Sequence, residues 1–275
     1  LSFRPATNYN SLQSQRFLQI NNDKLKSSFE KLSSGSRINR ASDDAAGLAI
    51  SEKMRSQISS TDQALRNSAD VQSLLQVADG AMNETNNILI RLRQVAMQTA
   101  SDTVTDSERL LVDMEVQQLK SEIDRISKTT SFNNIQLLDG TSKNLSFQIG
   151  IGSASKDRME FNPQKISTTL ENLKISDLNS QTKESSQEML GHIDLAINYV
   201  NGNRAELGAL QNRIQASINN LGVSKENLAQ SNSMIRDANI ALEAANMSQS
   251  RVMSKASTAV LTQANKEPEQ AIKLL

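Results

Sequence analysis

The chain has 275 residues, and its 30 basic and 30 acidic side chains leave no net charge. Ten glycines, three prolines and 3% aromatic residues are too few for a chain that turns often or closes a thick globular core, so long helices with thin apolar seams are expected. The absence of cysteine excludes disulfide scaffolds, thiol catalysis and Cys-based zinc sites.

The N-terminus, Leu1 to Asn10, lacks the basic segment, apolar core and cleavage site of a secretory signal peptide. Residues 1–42 then hold seven Lys/Arg and two Asp/Glu, a local charge of +5. These basic residues alternate with Leu18, Leu25, Phe29 and Leu32 at helical spacing, and no aromatic platform accompanies them. That is a solvated helix face, not a nucleic-acid surface. The helix is predicted to end at Gly35 in a left-handed cap. A second helix is predicted over about 43–100, opened by Ser42 as cap with Asp43 and Asp44 in its first turn. Its seam runs through Val71, Leu74, Ala78, Ala81, Thr85, Ile88, Leu92 and Val95. Thr105 and Glu108 form a capping box, which opens a third helix with the seam Val112, Val116, Leu119, Ile123 and Ile126.

The pattern then changes to a period of two. Leu145, Phe147, Ile149 and Ile151 read as one strand and Met159 and Phe161 as its return, a β-hairpin near 140–162. Asp139-Gly140 favours a tight turn before it. Ile166, Leu170 and Leu173 suggest one short helix. From Met189 to Ala259 a 3-4 alternation runs without a skip for about ten heptads, ending in Ile235, Ala238, Leu242, Ala245, Val252, Ala256 and Ala259. The fold class is therefore mainly α: a long antiparallel helical bundle or coiled coil with a small β-hairpin region.

No run of apolar residues is long enough to span a membrane. The single histidine, His192, flanks a seam position and has no partner cluster in sequence. HExxH, GxxxxGK[ST] and GxSxG are all absent. No enzyme, metal or cofactor reading has residues to rest on.

The segment from Leu32 through Gly35, Arg37, Asn39, Asp43 and Gly47 to Ile50, LSSGSRINRASDDAAGLAI, closely resembles the N-terminal signature of bacterial flagellin. Arg204 to Arg213 and Gln263 to Pro268 resemble its C-terminal signature. Only about 50 non-helical residues separate the helical halves, so the chain looks like a short flagellin without the family's variable outer domains. The resemblance implies a terminal coiled-coil domain of residues 1–42 plus 232–275 lining the filament's inner tube. It implies a rod domain over 43–231. It also implies self-assembly into a helical filament for swimming, in an extracellular, sheathed or periplasmic flagellum. Leu18, Leu25, Phe29, Leu32, Ile235, Ala238, Leu242, Ala245, Val252, Ala256 and Ala259 would then be the assembly seam. Subunits of the family are exported unfolded. The resemblance therefore implies an export chaperone and hook-associated junction and cap proteins as partners, with neither nucleic acid nor membrane insertion. By local match along Arg91 to Gln98, the patch read by the flagellin-sensing Toll-like receptor falls at Arg91, Val95 and Glu115. Two other readings share the helical ends: a hook–filament junction protein, and a secreted coiled-coil adhesin or effector.

Overall fold

The computed structural model describes residues 7–273. Residues before Thr7, and the side chains of Glu267 and Pro268 that end the C-terminal signature, lie outside the described residues. Among the described residues there are five α-helices: α1 (Tyr9–Ser34), α2 (Ala45–Thr99), α3 (Asp106–Thr129), α4 (Lys183–Arg236) and α5 (Ile240–Lys273). Two small antiparallel sheets lie between α3 and α4: β1 (Ser131–Phe132) with β2 (Ile135–Gln136), and β3 (Leu145–Gln148) with β4 (Arg158–Phe161). The chain divides into two compact units. One holds the residues up to Ile58 and those from Glu226 onward, and the other spans Ser59–Lys225.

The 59–225 unit has an apolar core. Leu74, Leu75, Ala78, Met82, Leu89 and Leu92 of α2 meet Val116 and Ile123 of α3 and Met189, Ile193, Ala196, Val200, Leu207 and Ile214 of α4. The 3-4 alternation marks Leu74, Ala78 and Leu92 and the α3 and α4 positions, because residues three and four apart share one helix face; Leu75, Met82 and Leu89 form a second buried stripe of α2 beside the expected seam. Long-stemmed ion pairs border the α2–α4 seam, with Arg204 Nε 2.9 Å from Asp79 Oδ1, Arg93 Nε 2.7 Å from Asp194 Oδ1 and Lys225 Nζ 2.6 Å from Asp62 Oδ1.

The α2–α3 corner is held by Arg109. Its buried guanidinium donates to the carbonyls of Thr99 (2.9 Å) and Ser101 (2.8 Å) and to Asp106 Oδ1 (2.7 Å). The capping box forms as the sequence predicts: Glu108 N donates to Thr105 Oγ1, and Thr105 N donates to Glu108 Oε2. The start of α2 differs from expectation. The helix begins at Ala45, and Asp44 Oδ1, not Ser42, accepts from Gly47 N at 2.8 Å. A Cβ at Gly47 would run into that same Asp44 carboxylate and the side chain of Ile38, so the tight start requires glycine.

The predicted hairpin is β3–β4, in the register Leu145↔Phe161 and Phe147↔Met159. It stops at Gln148 instead of Ile151, because the amides of Ile149 and Gly150 both donate to the carbonyl of Asp157 and break the alternation. The β1–β2 hairpin has no counterpart in the sequence reading. Its turn is Asn133-Asn134, both with positive φ (47° and 64°), a conformation that asparagine tolerates. The short helix expected at Ile166, Leu170 and Leu173 is absent. This stretch forms isolated turns, and Ile166, Leu173 and Ile175 are buried in the core. Its backbone is taken up by partners elsewhere. Tyr199 Oη donates to Lys165 O (2.6 Å), Lys120 Nζ to Ser176 O (2.6 Å) and Leu178 O (2.8 Å), and Ser180 N to Asp113 Oδ1 (2.8 Å). Burial lowers the Lys120 ammonium below its usual range, opposed by the charges of Asp113 and Asp177.

The unbroken register from Met189 to Ala259 is also corrected. It describes the inward face of α4 but stops at Arg236. At Asp237 the chain forms a bridge with Ser36. Arg37 N donates to Arg236 O (2.6 Å) and Ala238 N donates to Gly35 O (2.9 Å). Asn239 Oδ1 then accepts from Leu242 N (3.1 Å) and starts α5 as a new helix. Gly35 takes the left-handed cap as predicted, with φ 69°.

Candidate assembly surface

The sequence places the assembly seam on the two terminal helices, so their pairing decides what they present. α1 and α5 run antiparallel, and the face between them is partly polar. Asn8 Nδ2 donates to Ala264 O (2.8 Å), Ser11 Oγ to Asn265 Oδ1 (2.7 Å), Asn21 Nδ2 to Ser257 Oγ (3.0 Å) and Ser254 Oγ to Asn22 Oδ1 (2.8 Å). On α1 the inward positions step through Ser11, Ser14, Leu18, Asn21, Leu25, Ser28 and Leu32, and on α5 through Met247, Ser250, Ser254, Ser257, Leu261 and Ala264. Both series follow 3-4 spacing, as a two-helix seam requires.

The predicted seam residues therefore divide. Leu18, Leu25 and Leu32 are half-buried against α5, and Ile235 and Ala238 are half-buried at the break between α4 and α5. Phe29 is 64% exposed, Leu242 60% and Val252 64%, and Ala245, Ala256 and Ala259 are exposed as well. The break at Asp237–Asn239 resets the register, so the apolar stripe of α5 lies off the face that meets α1. Leu12, Met253 and Val260 add to the outward apolar surface. Sequence periodicity finds that stripe but not its direction, because an outward and an inward stripe have the same spacing.

The three residues matched to a receptor patch also divide. Arg91 and Glu115 are exposed and form an ion pair across α2 and α3, with Nη2 2.7 Å from Oε1. Val95 is 1% exposed, inside the core. His192 is no convergent site: its Nε2 is 4.0 Å from Glu188, and Nδ1 is buried without a hydrogen-bond partner. No helix among the described residues is long and apolar enough to cross a membrane.

Among the described residues the chain combines one apolar core, a partly polar terminal seam and exposed apolar stripes on α1 and α5. The profile of the bacterial flagellin N-terminal helical region matches residues 6–143, and that of the C-terminal helical region matches residues 190–275. The chain is 40% identical to a flagellin of Halalkalibacterium halodurans, covering 98% of each chain. It is 35% identical to a flagellar filament 30.7 kDa core protein of Treponema maltophilum, again over 98% of each. The crystal structure of Bacillus cereus flagellin aligns with a TM-score of 0.51 at 32% identity, covering 57% of this chain and 88% of that one. The chain belongs to the bacterial flagellin family. It is a structural subunit of the flagellar filament and not an enzyme.

Proposed function

We propose that the outward apolar stripes of α1 and α5 are the surfaces through which this subunit polymerises. The observation that carries this is the division of the terminal pair: serine, asparagine and half-buried leucine face the partner helix, while Phe29, Leu242 and Val252 are exposed. Burying such side chains is worth about 1.5–3 kcal/mol each. Many copies of one heterologous contact repeated without closure give an open filament. In this reading residues 1–42 and 232–275 form the filament's inner tube and residues 43–231 its rod. The subunit is secreted through the flagellar export route with an export chaperone. Hook-associated junction and cap proteins meet the same terminal helices at the filament's ends. Recognition by the flagellin-sensing Toll-like receptor is proposed through Arg91 and Glu115 alone, since Val95 is out of reach in the core.

The test is seeded growth of Leu242→Glu/Val252→Glu. Loss of elongation with unchanged unfolding of the 59–225 unit supports the reading. Elongation at the native rate contradicts it.

A further inference from the structure

Between β4 and α4 the chain crosses residues 162–182 without forming a helix or a strand, so its buried backbone groups need partners from other elements. Lys174 adds a left-handed residue at φ 56°, a conformation that side chains other than glycine seldom adopt. Where this return segment leads into α4, one face of α3 holds it. Asp113 and Lys120 stand seven residues apart on α3, so both project from the same face. The Asp113 carboxylate accepts from the amide of Ser180 (2.8 Å), and Lys120 Nζ donates to the carbonyls of Ser176 (2.6 Å) and Leu178 (2.8 Å). Just beyond, the amides of Thr182 and Ser185 each donate to the other's hydroxyl (3.1 Å), and α4 begins. Lys120 is only 6% exposed. An ammonium carries three protons, and a neutral amine still carries two. The two carbonyls take two, and among the described residues no acceptor takes the third. Asp113 on α3 and Asp177 on the return segment are the charged groups that act on Lys120, and no charged group of α2 or α4 does so. Neither carboxylate takes a hydrogen bond from Nζ. Burial outweighs both charges and holds the ammonium below its usual range.

We propose that Lys120 is an alkaline latch: it sheds its third proton inside the folded subunit while still holding the carbonyls of Ser176 and Leu178, so the return segment is gripped more firmly as the medium turns alkaline. The charged form leaves a buried charge that two carbonyls and two distant carboxylates compensate only in part, whereas the neutral amine keeps both hydrogen bonds without that cost. The sign follows from linkage. Below the native value, folded and unfolded chains both hold the proton, and the buried charge is a fixed cost. Between the native value and the ordinary lysine value of 10.5, the unfolded chain binds the proton and the folded chain does not, so stability rises with pH. Arginine in the same place donates but stays charged throughout, so it cannot follow. The latch lies within the 59–225 unit and works in the single subunit, independently of polymerisation.

The experiment uses the full chain as monomer. Denaturant unfolding of the 59–225 unit is followed from about pH 8 to about pH 10.5 in the native chain, Lys120→Arg and Lys128→Arg. The native midpoint is expected to shift upward relative to Lys120→Arg across this window. Lys128→Arg, on the exposed side of the same helix, is expected to run parallel to the native chain. A constant difference between the native chain and Lys120→Arg, or the same divergence in Lys128→Arg, overturns the proposal. The native chain is also read directly, by lysine side-chain NMR with the signal beside Ser176 and Leu178 assigned through space. That signal is expected to titrate below 10.5, and the protection factors of the amides at 176–181 to rise through the same range. Titration of Lys120 at or above 10.5, or protection that falls as it titrates, overturns the proposal even where Lys120→Arg does not fold.

Discussion

The two units use the same helical spacing for opposite ends. In the 59–225 unit the 3-4 alternation points inward, and Leu75, Met82, Leu89 and Ile123 are sealed within one chain. In the terminal pair the inward positions mix serines and Asn21 with Leu18, Leu25, Leu32, Met247 and Leu261, while Leu242, Val252 and Val260 of α5 are exposed. One unit holds its stability internally. The other leaves large apolar side chains exposed, and a helix pair joined by a thin seam of serines, asparagines and half-buried leucines is marginal without neighbours. On the proposed reading, the difference separates what folds the subunit from what joins subunits.

Substitutions can break this contrast in a ranked order. The largest effect falls on assembly: glutamate at Leu242 and Val252 is expected to abolish seeded elongation, scored by electron microscopy, with no change in the main unfolding transition. Next is the core. Leu75→Ala or Leu89→Ala is expected to cost about 2–5 kcal/mol in denaturant unfolding, since both side chains are fully buried. A smaller loss is expected at the return segment. Asp113 accepts from Ser180 N, Ser180 Oγ and Gln181 Nε2, and Asp113→Ala is expected to cost about 1.5–3 kcal/mol, as for hydrogen bonds to charged groups.

Thr105→Ala is smaller again, at about 1 kcal/mol for a lost helix cap. Its carboxylate partner adds a pH dependence. The backbone amide and hydroxyl of Thr105 hold Glu108 below its usual range. Its contribution is thus complete above the unfolded-state value and is lost as the pH falls through the lower native one. Acid titration of unfolding should show this loss in the native chain and a shallower one in Glu108→Gln. The smallest effect is Ser254→Ala in the polar seam. It removes one exposed hydrogen bond to Asn22 and should leave the 59–225 transition unchanged, read by thermal unfolding.

Much of this contrast is legible in the sequence. The inward seams of α2, α3 and α4 follow from apolar spacing, the capping box from Thr105 and Glu108, and the β3–β4 hairpin from the period-two run at Leu145. The break at Asp237–Asn239 is not legible that way, because its cause is long-range: the backbone of Gly35–Arg37 pairs with the chain there. The register of α5 is lost with it. The Asn133-Asn134 turn escapes because its strands are only two residues long and show no alternation. The turns at 163–180 are set by Lys120, Asp113 and Tyr199 reaching across from helices distant in sequence. The placement of Val95 in the core fits the seam position that periodicity assigns it, and a surface motif match does not report burial.

The most direct measurement is amide hydrogen exchange on monomer and filament, followed residue by residue. The account predicts that α1 and the described part of α5 exchange within minutes in the monomer and become strongly protected in the filament. Amides around Leu74, Leu89 and Val200 should be equally protected in both. Full protection of α1 and α5 in the monomer, or no gain on assembly, would contradict the claim that their apolar faces close between subunits.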